Sequence, residues 1–185
     1  CRISLRFFSP REKPWFDQPD ALKVLEGRRK TESLTDEQFE QLRHWVDHGY
    51  IVARGLVPME DVDGMLSDMD NVWTTSTPMD NLIIDNIKLR PEDPPGIPHS
   101  RLVTVDQATK EELKRGSPWR IHEFISHSSN AMRIFQSSKL GRLASLILGS
   151  EALPSYTINF TFGSMQNLHQ DTAVFYVWPA NYLVG

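Results

Sequence analysis

Near the end of the chain lies the stretch GSMQNLHQDTAVFYVWP, residues 163–179, which brings two possible metal ligands close together. His169 and Asp171 are separated by one residue in otherwise uncharged sequence rich in apolar and aromatic residues. On a β-strand, residues i and i+2 project to the same face, so this imidazole and this carboxylate could bind one ion. Neutral nitrogen with a hard oxygen suits Fe(II), and a site of two histidines and one carboxylate leaves positions open for a cosubstrate and O₂. We therefore interpret His169 and Asp171 as candidate metal ligands.

The sequence just before this stretch has the period of a β-strand. In PSYTINFTFG, residues 154–163, apolar and polar side chains alternate. The apolar set is Tyr156, Ile158, Phe160 and Phe162, and the polar set is Thr157, Asn159 and Thr161. This alternation predicts a strand with an apolar back and a polar, uncharged front.

The preceding part of the chain is predicted to be mainly helical. Thr35 and Gln38 form a capping box, and Gly49 stops the helix that they begin, which predicts a helix over 36–48. The apolar stripe of this helix is Phe39, Leu42, Trp45 and Val46. A second helix starts at Pro58, and two more are predicted within 117–150, broken near 137–138 and closed by Gly149.

Other segments are predicted from weaker signals. A short helix is expected to end at Gly27, with the basic run 26–30 as a solvated loop, and residues 50–57 are expected to form a strand. Residues 74–101 include four prolines after a short β-like run, which is typical of a long functional loop or lid. Helices first and strands afterwards indicate an α+β fold with an antiparallel sheet.

Composition limits the function classes. Hydrophobic residues make up 39% and charged residues 24% of 185 residues, as in ordinary globular domains. The net charge of −4 argues against a nucleic-acid partner, which needs clustered Lys and Arg. Cys1 is the single cysteine, so no intrachain disulfide can form, and we expect a reducing, cytoplasmic location. No apolar run approaches the roughly 18 residues of a membrane span, so no membrane partner is expected.

A pair of histidines in the first strong helix imitates a zinc motif. His44 and His48 lie four apart, with Asp47 in the place of an acid. At 100° per residue, however, both histidines point away from the apolar stripe of that helix. A catalytic zinc needs a dry, supported pocket, so we expect these two side chains to be solvated and without an ion.

The other histidines have no second ligand at a telling spacing. We expect His99 and His127 to be exposed or to cap helices, and His122 to lie near the core with a backbone partner. Cys1 has no base nearby in sequence, which argues against a cysteine nucleophile.

The stretch around His169 resembles the metal-binding segment of the phytanoyl-CoA dioxygenase family of Fe(II)/2-oxoglutarate oxygenases. That family shows Gly, then Gln, then His-x-Asp, followed by aromatic residues and Pro. The corresponding residues here are Gly163, Gln166, His169, Asp171, Phe175, Tyr176 and Pro179. Two upstream stretches are also similar to the family. Its opening helix and strand resemble LTDEQFEQLRHWVDHGYIVARGLVP, and the helix before its first core strand resembles LGRLASLILGSE.

The resemblance implies a fold and a site. The fold would be a double-stranded β-helix (jelly-roll) core with a helical N-terminal layer: an arm at 1–33, a mainly helical part at 34–150, and the first core strands at 151–185. His169 and Asp171 would be two ligands of Fe(II). Gln166 would lie near the cosubstrate 2-oxoglutarate, although strict alternation places Asn167 on the face of His169. Thr161 and Asn159 could hydrogen-bond 2-oxoglutarate or simply line the barrel.

The activity implied is that of a dioxygenase that hydroxylates a small molecule with Fe(II), 2-oxoglutarate and O₂. The carboxylate of Asp171 favours hydroxylation, because related halogenases lack it. The distal His and the Arg that pairs with 2-oxoglutarate come later in such proteins, so we expect the 185-residue chain to be truncated and inactive alone. Two alternatives stay open: a non-catalytic jelly-roll binding module with a fortuitous His-x-Asp, and an unrelated α+β domain that mediates protein contacts.

Overall fold

The computed structural model of the protein describes residues 14–163, which form two compact units. Within the described residues, the first unit comprises 14–54 and 141–152, and the second comprises 55–140 and 153–163. The first unit is helical and the second combines helices with an antiparallel sheet. The α+β class expected from the sequence is confirmed at this level.

The first unit contains helices α1 (Ala21–Thr31) and α2 (Asp36–His48) and most of α7 (Ser138–Leu148). The predicted capping box of α2 is present: Gln38 N–H donates to the Thr35 hydroxyl at 3.2 Å, and Thr35 N–H donates to the Gln38 side chain at 3.0 Å. Gly49 ends α2 in the left-handed region, at φ 77°. The core of this unit is built from Leu25, Phe39, Leu42 and Ile147, with Trp15 and Trp45 packed against it.

Two side chains near the N-terminal end of this unit bind the last carbonyl groups of α7. Arg28 donates to the Leu146 carbonyl at 2.9 Å, and the Trp15 indole N–H donates to the Ile147 carbonyl at 2.7 Å. The Arg28 guanidinium also pairs with Glu32 at 2.8 Å and lies over the Trp15 ring. These bonds satisfy carbonyl groups that a helix end leaves without partners.

Two predictions about this unit were wrong. Helix α1 does not end at Gly27 but continues through the basic run to Thr31, and Arg28 is buried, since its guanidinium has partners on α1 and α7. Residues 50–57 form no strand. Their alternating apolar pattern has no neighbouring strand to pair with among the described residues, and Val52 is 68% exposed.

The helices of the second unit are α3 (Met59–Thr74), α4 (His99–Leu102), α5 (Gln107–Gly116) and α6 (Ser129–Phe135). Helix α3 begins directly after Pro58, close to the predicted start, and the break between α6 and α7 falls at residues 136–137. Among the described residues, no helix is long and apolar enough to cross a membrane.

The sheet of this unit has four short strands in the order β2-β1-β3-β4, all antiparallel. They are β1 (Ile83–Asp85), β2 (Gly96–Pro98), β3 (Arg120–His122) and β4 (Ile158–Phe160). The proline-rich segment expected as a long loop therefore carries β1 and β2, and β3 lies where a helix was predicted. Strand β4 lies within the strand predicted at 154–163, and β1 lies in the short β-like run before the prolines. Strands β2 and β3 have three residues each, which are too few to show a period in the sequence.

One row of side chains crosses the sheet on the helical side. Ile97, Ile84 and Ile121 are paired across the strands, and Asn159 follows in register on β4. The three isoleucines are fully buried in one cluster with Val72 and Trp73 of α3. Because side chains alternate along a strand, the residues on either side of this row face away from α3.

His99 is buried at the junction of α3 and α4, so of the two expectations for it exposure was wrong, and its ring binds a carbonyl group in the last turn of α3. Its Nδ1 accepts the Met79 N–H at 2.9 Å, which leaves Nε2 to donate to the Val72 carbonyl at 2.7 Å. Both ring nitrogens are therefore used in the neutral form. Burial lowers the pKa of His99 below its ordinary value of 6.5, and the positive charges of Lys110 and His127 act in the same direction.

Stability should depend on the protonation of His99. Because its folded pKa lies below 6.5, the unfolded chain binds the proton first as the pH falls. Stability from this group is present above pH 6.5 and is lost below it, with a slope of at most about 1.4 kcal/mol per pH unit. We expect His99→Gln to be less stable at pH 8 but to have a flatter dependence between pH 5 and 7, measured by urea unfolding. His48→Gln, on an exposed side chain, should keep the wild-type slope. Equal slopes in wild type and His99→Gln would contradict this assignment.

Gly64 permits the close contact of α3 with α6. A Cβ at this position would lie 2.6 Å from the side-chain Cγ and Oδ1 of Asn130. Asn130 cannot swing aside freely, because its amide donates to Asp68 at 2.9 Å and its oxygen accepts from Arg133. We expect Gly64→Ala to lower the free energy of unfolding by about 1–3 kcal/mol. Gly116→Ala meets no atom within 4 Å and should be neutral or stabilising by up to about 1 kcal/mol. Unfolding in urea measures both, and a Gly64→Ala variant as stable as wild type would refute the steric account.

Candidate functional site

The metal ligands expected from the sequence lie outside the described residues. His169, Asp171 and Gln166 follow Gly163, at which the described chain ends with a left-handed backbone, φ 72°. Their assignment as iron ligands and cosubstrate contact therefore stays a prediction. The structure does describe strand β4, which leads into this segment, and the sheet to which β4 belongs.

Asn159 and Thr161, the two other predicted cosubstrate contacts, have partners within the second unit. Asn159 lies on the α3 side of the sheet, where its amide approaches the Met65 sulfur at 3.6 Å. The Thr161 hydroxyl donates to the Trp119 carbonyl at 2.9 Å, and its backbone N–H donates to the same oxygen at 3.2 Å. The contact of Asn159 holds β4 to α3. The bonds of Thr161 extend the pairing of β4 with β3 by one residue, to Trp119. A role of either side chain in 2-oxoglutarate binding stays a prediction.

The opposite face of the sheet carries a polar cluster, which we define as Asp85, Arg120, His122 and Tyr156. Asp85 on β1 is paired with Arg120 on β3, and His122 lies two residues further along β3. His122 Nε2 is 2.8 Å from Asp85 Oδ2, and Arg120 Nε is 3.7 Å from the same oxygen. The Tyr156 hydroxyl contacts His122 Nδ1 on the other side of the ring. Asp85, Arg120 and His122 are each between a quarter and a third exposed.

The contacts of the polar cluster indicate how protons are arranged in it. A proton on Nε2 suits the neighbouring carboxylate of Asp85, and with that tautomer Nδ1 accepts the Tyr156 O–H. The Nε2–Asp85 contact has the distance of an ion pair without the alignment of a good hydrogen bond. Asp85 therefore interacts with both His122 and Arg120, and more closely with His122.

A residue with left-handed backbone directly follows each of the strands β1 and β3. Asn86 follows Asp85 at φ 62°, and Glu123 follows His122 at φ 52°. The Asn86 amide donates to the Pro118 carbonyl at 3.3 Å. The Glu123 carboxylate accepts the Thr157 N–H at 2.9 Å, and Glu123 N–H donates to the Thr157 carbonyl at 3.0 Å. Such backbone is uncommon outside glycine, and here side-chain hydrogen bonds hold it in place.

The histidine pair on α2 lies on the side expected from the sequence. The rings of His44 and His48 are 4.4 Å apart, next to the Tyr50 ring; His48 is exposed and His44 half-buried. Phe39 and Leu42 are buried on the other side of α2. Within residues 14–163, no group of three or more His, Cys, Asp or Glu side chains could hold a metal ion.

Sequence reasoning missed the polar cluster. His122 was expected near the core with a backbone partner, whereas its partners are the side chains of Asp85 and Tyr156. A signal was present in RIH, residues 120–122, and in IID, residues 83–85, because a buried isoleucine adjoins a polar residue in each. Neither triplet shows which strand is its neighbour, so the cluster could not be assembled from the sequence.

Comparison of the chain with protein-family models, with curated proteins and with solved structures gives no match. The functional assignment therefore depends on the residues themselves and on their geometry.

The bond from Thr161 to Trp119 can be tested by removing the hydroxyl alone. Thr161→Val keeps the shape of the side chain but loses the 2.9 Å bond to the Trp119 carbonyl. We expect the free energy of unfolding to fall by about 0.5–1.5 kcal/mol, while Thr161→Ser, which keeps the hydroxyl, loses less. Chemical denaturation of the three proteins measures the difference. If Thr161→Val bound 2-oxoglutarate more weakly without losing stability, the hydroxyl would serve the cosubstrate instead.

Proposed function

We propose that this protein is an Fe(II)/2-oxoglutarate-dependent dioxygenase that hydroxylates a small molecule. The observation that carries the proposal is the His-x-Asp pair, His169 and Asp171, in the apolar, strand-like segment 163–179. Its resemblance to the phytanoyl-CoA dioxygenase segment extends over Gly163, Gln166 and Pro179.

The fold of the second unit supports the proposal. Strand β4, immediately before the segment, is an edge strand of an antiparallel sheet within the described residues. One face of this sheet is covered by α3, and the other carries half-buried polar residues. We propose that the sheet is part of a double-stranded β-helix core and that the helices are its N-terminal layer. In such a core the ligand lies between two sheets, on the side away from the helices.

The types of donor atom fit the metal. An imidazole nitrogen and a carboxylate oxygen are two of the three ligands in the two-histidine, one-carboxylate set of Fe(II) oxygenases. The third ligand of that set is a second histidine. When bound, the iron with 2-oxoglutarate supplies the activation of O₂ that no side chain can provide.

In this proposal the residues of the chain bind the metal and the cosubstrate. His169 and Asp171 hold the metal, and the negative charge of Asp171 offsets part of the charge of the ion. Gln166 provides an amide that can hydrogen-bond the cosubstrate. A carboxylate at position 171 also fills a coordination position that halide transfer would require, which favours hydroxylation.

One observation favours a second candidate function, a binding module that needs no metal. The polar cluster of Asp85, Arg120, His122 and Tyr156 is assembled by side chains of the second unit alone. It could recognise a ligand even if His169 and Asp171 held no ion. The two functions differ in whether iron is needed for any activity.

The proposal is tested in the full-length protein by Asp171→Ala. Removing a charged ligand should abolish iron-dependent succinate formation from 2-oxoglutarate under air. Fe(II) affinity should also fall. The loss should exceed the one caused by removing an outer-sphere partner of a ligand, which is about 10–100-fold. Asp80→Ala, at an exposed carboxylate that makes no ion pair or side-chain hydrogen bond within residues 14–163, should behave as wild type. Normal turnover by Asp171→Ala would exclude this residue as a ligand. Absence of succinate in wild type, with bound ligand still detected, would favour the binding module.

A further inference from the structure

Three residues of the polar cluster form a chain of contacts across the sheet face that turns away from α3. Asp85 Oδ2 is 2.8 Å from His122 Nε2, and the Tyr156 hydroxyl contacts Nδ1 on the other side of the same ring. The centres of the His122 and Tyr156 rings are 5.6 Å apart, and the rings are tilted by 50°. A hydroxyl, an imidazole and a carboxylate in this order are the parts of a nucleophile that a general base activates.

The carboxylate at one end of this chain is fixed by the sheet. Asp85 belongs to β1, which is paired with β2 on one side and with β3 on the other. Its partner on β2 is Gly96, where a Cβ would lie 2.7 Å from Asp85 Oδ1. The glycine therefore leaves room for the carboxylate, whose other oxygen meets His122. Asp85 is thus held where it faces the imidazole.

The hydroxyl at the other end belongs to an exposed residue in a restrained segment. Tyr156 is 39% exposed. The next residue, Thr157, donates its N–H to the Glu123 carboxylate at 2.9 Å, and its carbonyl accepts the Glu123 N–H at 3.0 Å. Glu123 directly follows His122 and has a left-handed backbone, at φ 52°. This uncommon backbone beside the imidazole therefore fixes the segment that carries Tyr156.

The far nitrogen of the imidazole has one neighbour that can offset a positive charge. His122 Nε2 is buried and makes no hydrogen bond within residues 14–163, and its ionic contact there is Asp85. When the Tyr156 proton moves to Nδ1, the imidazolium that forms has a carboxylate 2.8 Å from its other nitrogen. A carboxylate in this place stabilises the imidazolium and keeps the ring in its orientation. Asp85, His122 and Tyr156 therefore form a proton relay.

The neighbours of the proton relay favour an apolar ligand. Ile158 is paired with His122 across β3 and β4, and Phe160 lies two residues further along the same face. Both side chains are half-buried, and Ile83, on the face of Asp85, is 50% exposed. Small-molecule sites combine mostly apolar surface with a few placed polar atoms. An uncharged compound with an apolar group fits this face.

We propose that Tyr156 is a nucleophile that accepts the acyl group of a small, uncharged ester. His122 is its general base, and Asp85 is a positioning residue. The Tyr156 oxygen forms a bond to the carbonyl carbon while its proton moves to Nδ1 of His122. The bond from that carbon to the alcohol oxygen then breaks, and the alcohol leaves with the proton from Nδ1. The products are an acyl-tyrosine and an alcohol, and the step needs no metal and no redox partner.

The test treats the full-length protein with p-nitrophenyl acetate in the presence of EDTA and locates the acetyl groups by mass spectrometry. Tyr50 is the matched control, because it is 54% exposed and its ring lies edge to face with His44 at 4.9 Å. General-base catalysis typically accelerates such a step by about 10²–10⁴-fold. We therefore expect Tyr156 to be acetylated at least about tenfold faster than Tyr50.

Two variants separate the roles within the proton relay. His122→Gln keeps a hydrogen-bond acceptor for the hydroxyl but no base, so Tyr156 should react no faster than Tyr50. Asp85→Asn should also slow Tyr156, and the ¹⁵N signals of the His122 ring should show less of the tautomer with its proton on Nε2. A merely structural role of Asp85 would not change this tautomer. Tyr50 should react at the same rate in all three proteins.

Acetylation of Tyr156 no faster than that of Tyr50 in the wild type would overturn the inference, and this comparison stands even if the variants fail to fold. A folded His122→Gln protein whose Tyr156 reacts as fast as in the wild type would overturn it as well.

The result is separable from that of the proposed function, because EDTA removes the iron on which succinate formation depends. Selective acetylation of Tyr156 in a protein without oxygenase activity would keep the nucleophile and reject the enzyme. Oxygenase turnover in a protein whose Tyr156 reacts no faster than Tyr50 would do the reverse.

Discussion

The burial of the isoleucine row against α3 is the constraint on which the second unit depends. Ile97, Ile84 and Ile121 lie side by side across three strands and are fully buried with Val72 and Trp73. Because side chains alternate along a strand, a shift of one residue in any strand would turn its isoleucine away from α3, and in β3 it would turn Arg120 or His122 towards α3 instead. The row therefore fixes the register of the sheet, although each strand has only three residues. By fixing the register it also places Asp85, Arg120 and His122 together on the other face.

Hydrogen bonds that join α3 to neighbouring segments keep the helices of this unit in place. His99 joins the end of α3 to the segment after it, because its two ring nitrogens bind the Val72 carbonyl and the Met79 N–H. On the other side of α3, Asp68 accepts from Ser128 at 2.6 Å and from Asn130 at 2.9 Å, both at the start of α6. Buried and half-buried polar groups are stabilised when each is paired, so these bonds favour one arrangement of the helices.

The sequence predicted those features whose signals are local. The capping box at Thr35, the stop at Gly49 and the break before α7 are set by residues within a few positions of each other, and all three are confirmed. Strands β2 and β3 depend on partners far along the chain, and three residues carry too little pattern to show them. His99 was misjudged because its burial comes from α3, some 27 positions earlier. The assignment of His169 and Asp171 as metal ligands came from their spacing, their strand-like context and the family resemblance, and it stays a prediction. The polar cluster was missed because three separate segments supply it.

Strand β4 shows why side-chain polarity alone does not identify the ligand side of a sheet. Its polar residue Asn159 faces α3 and meets the Met65 sulfur, while its apolar residues Ile158 and Phe160 share a face with Arg120 and His122. The helical side tolerates one amide because a thioether is a soft, adaptable neighbour. On the other face, apolar side chains partly exclude water, and this strengthens the interactions of guanidinium and carboxylate groups. A strand that borders a charged site can therefore be apolar on the site's own face. The polarity of that face comes from β1 and β3, and it is these neighbours that make it a candidate for ligand binding.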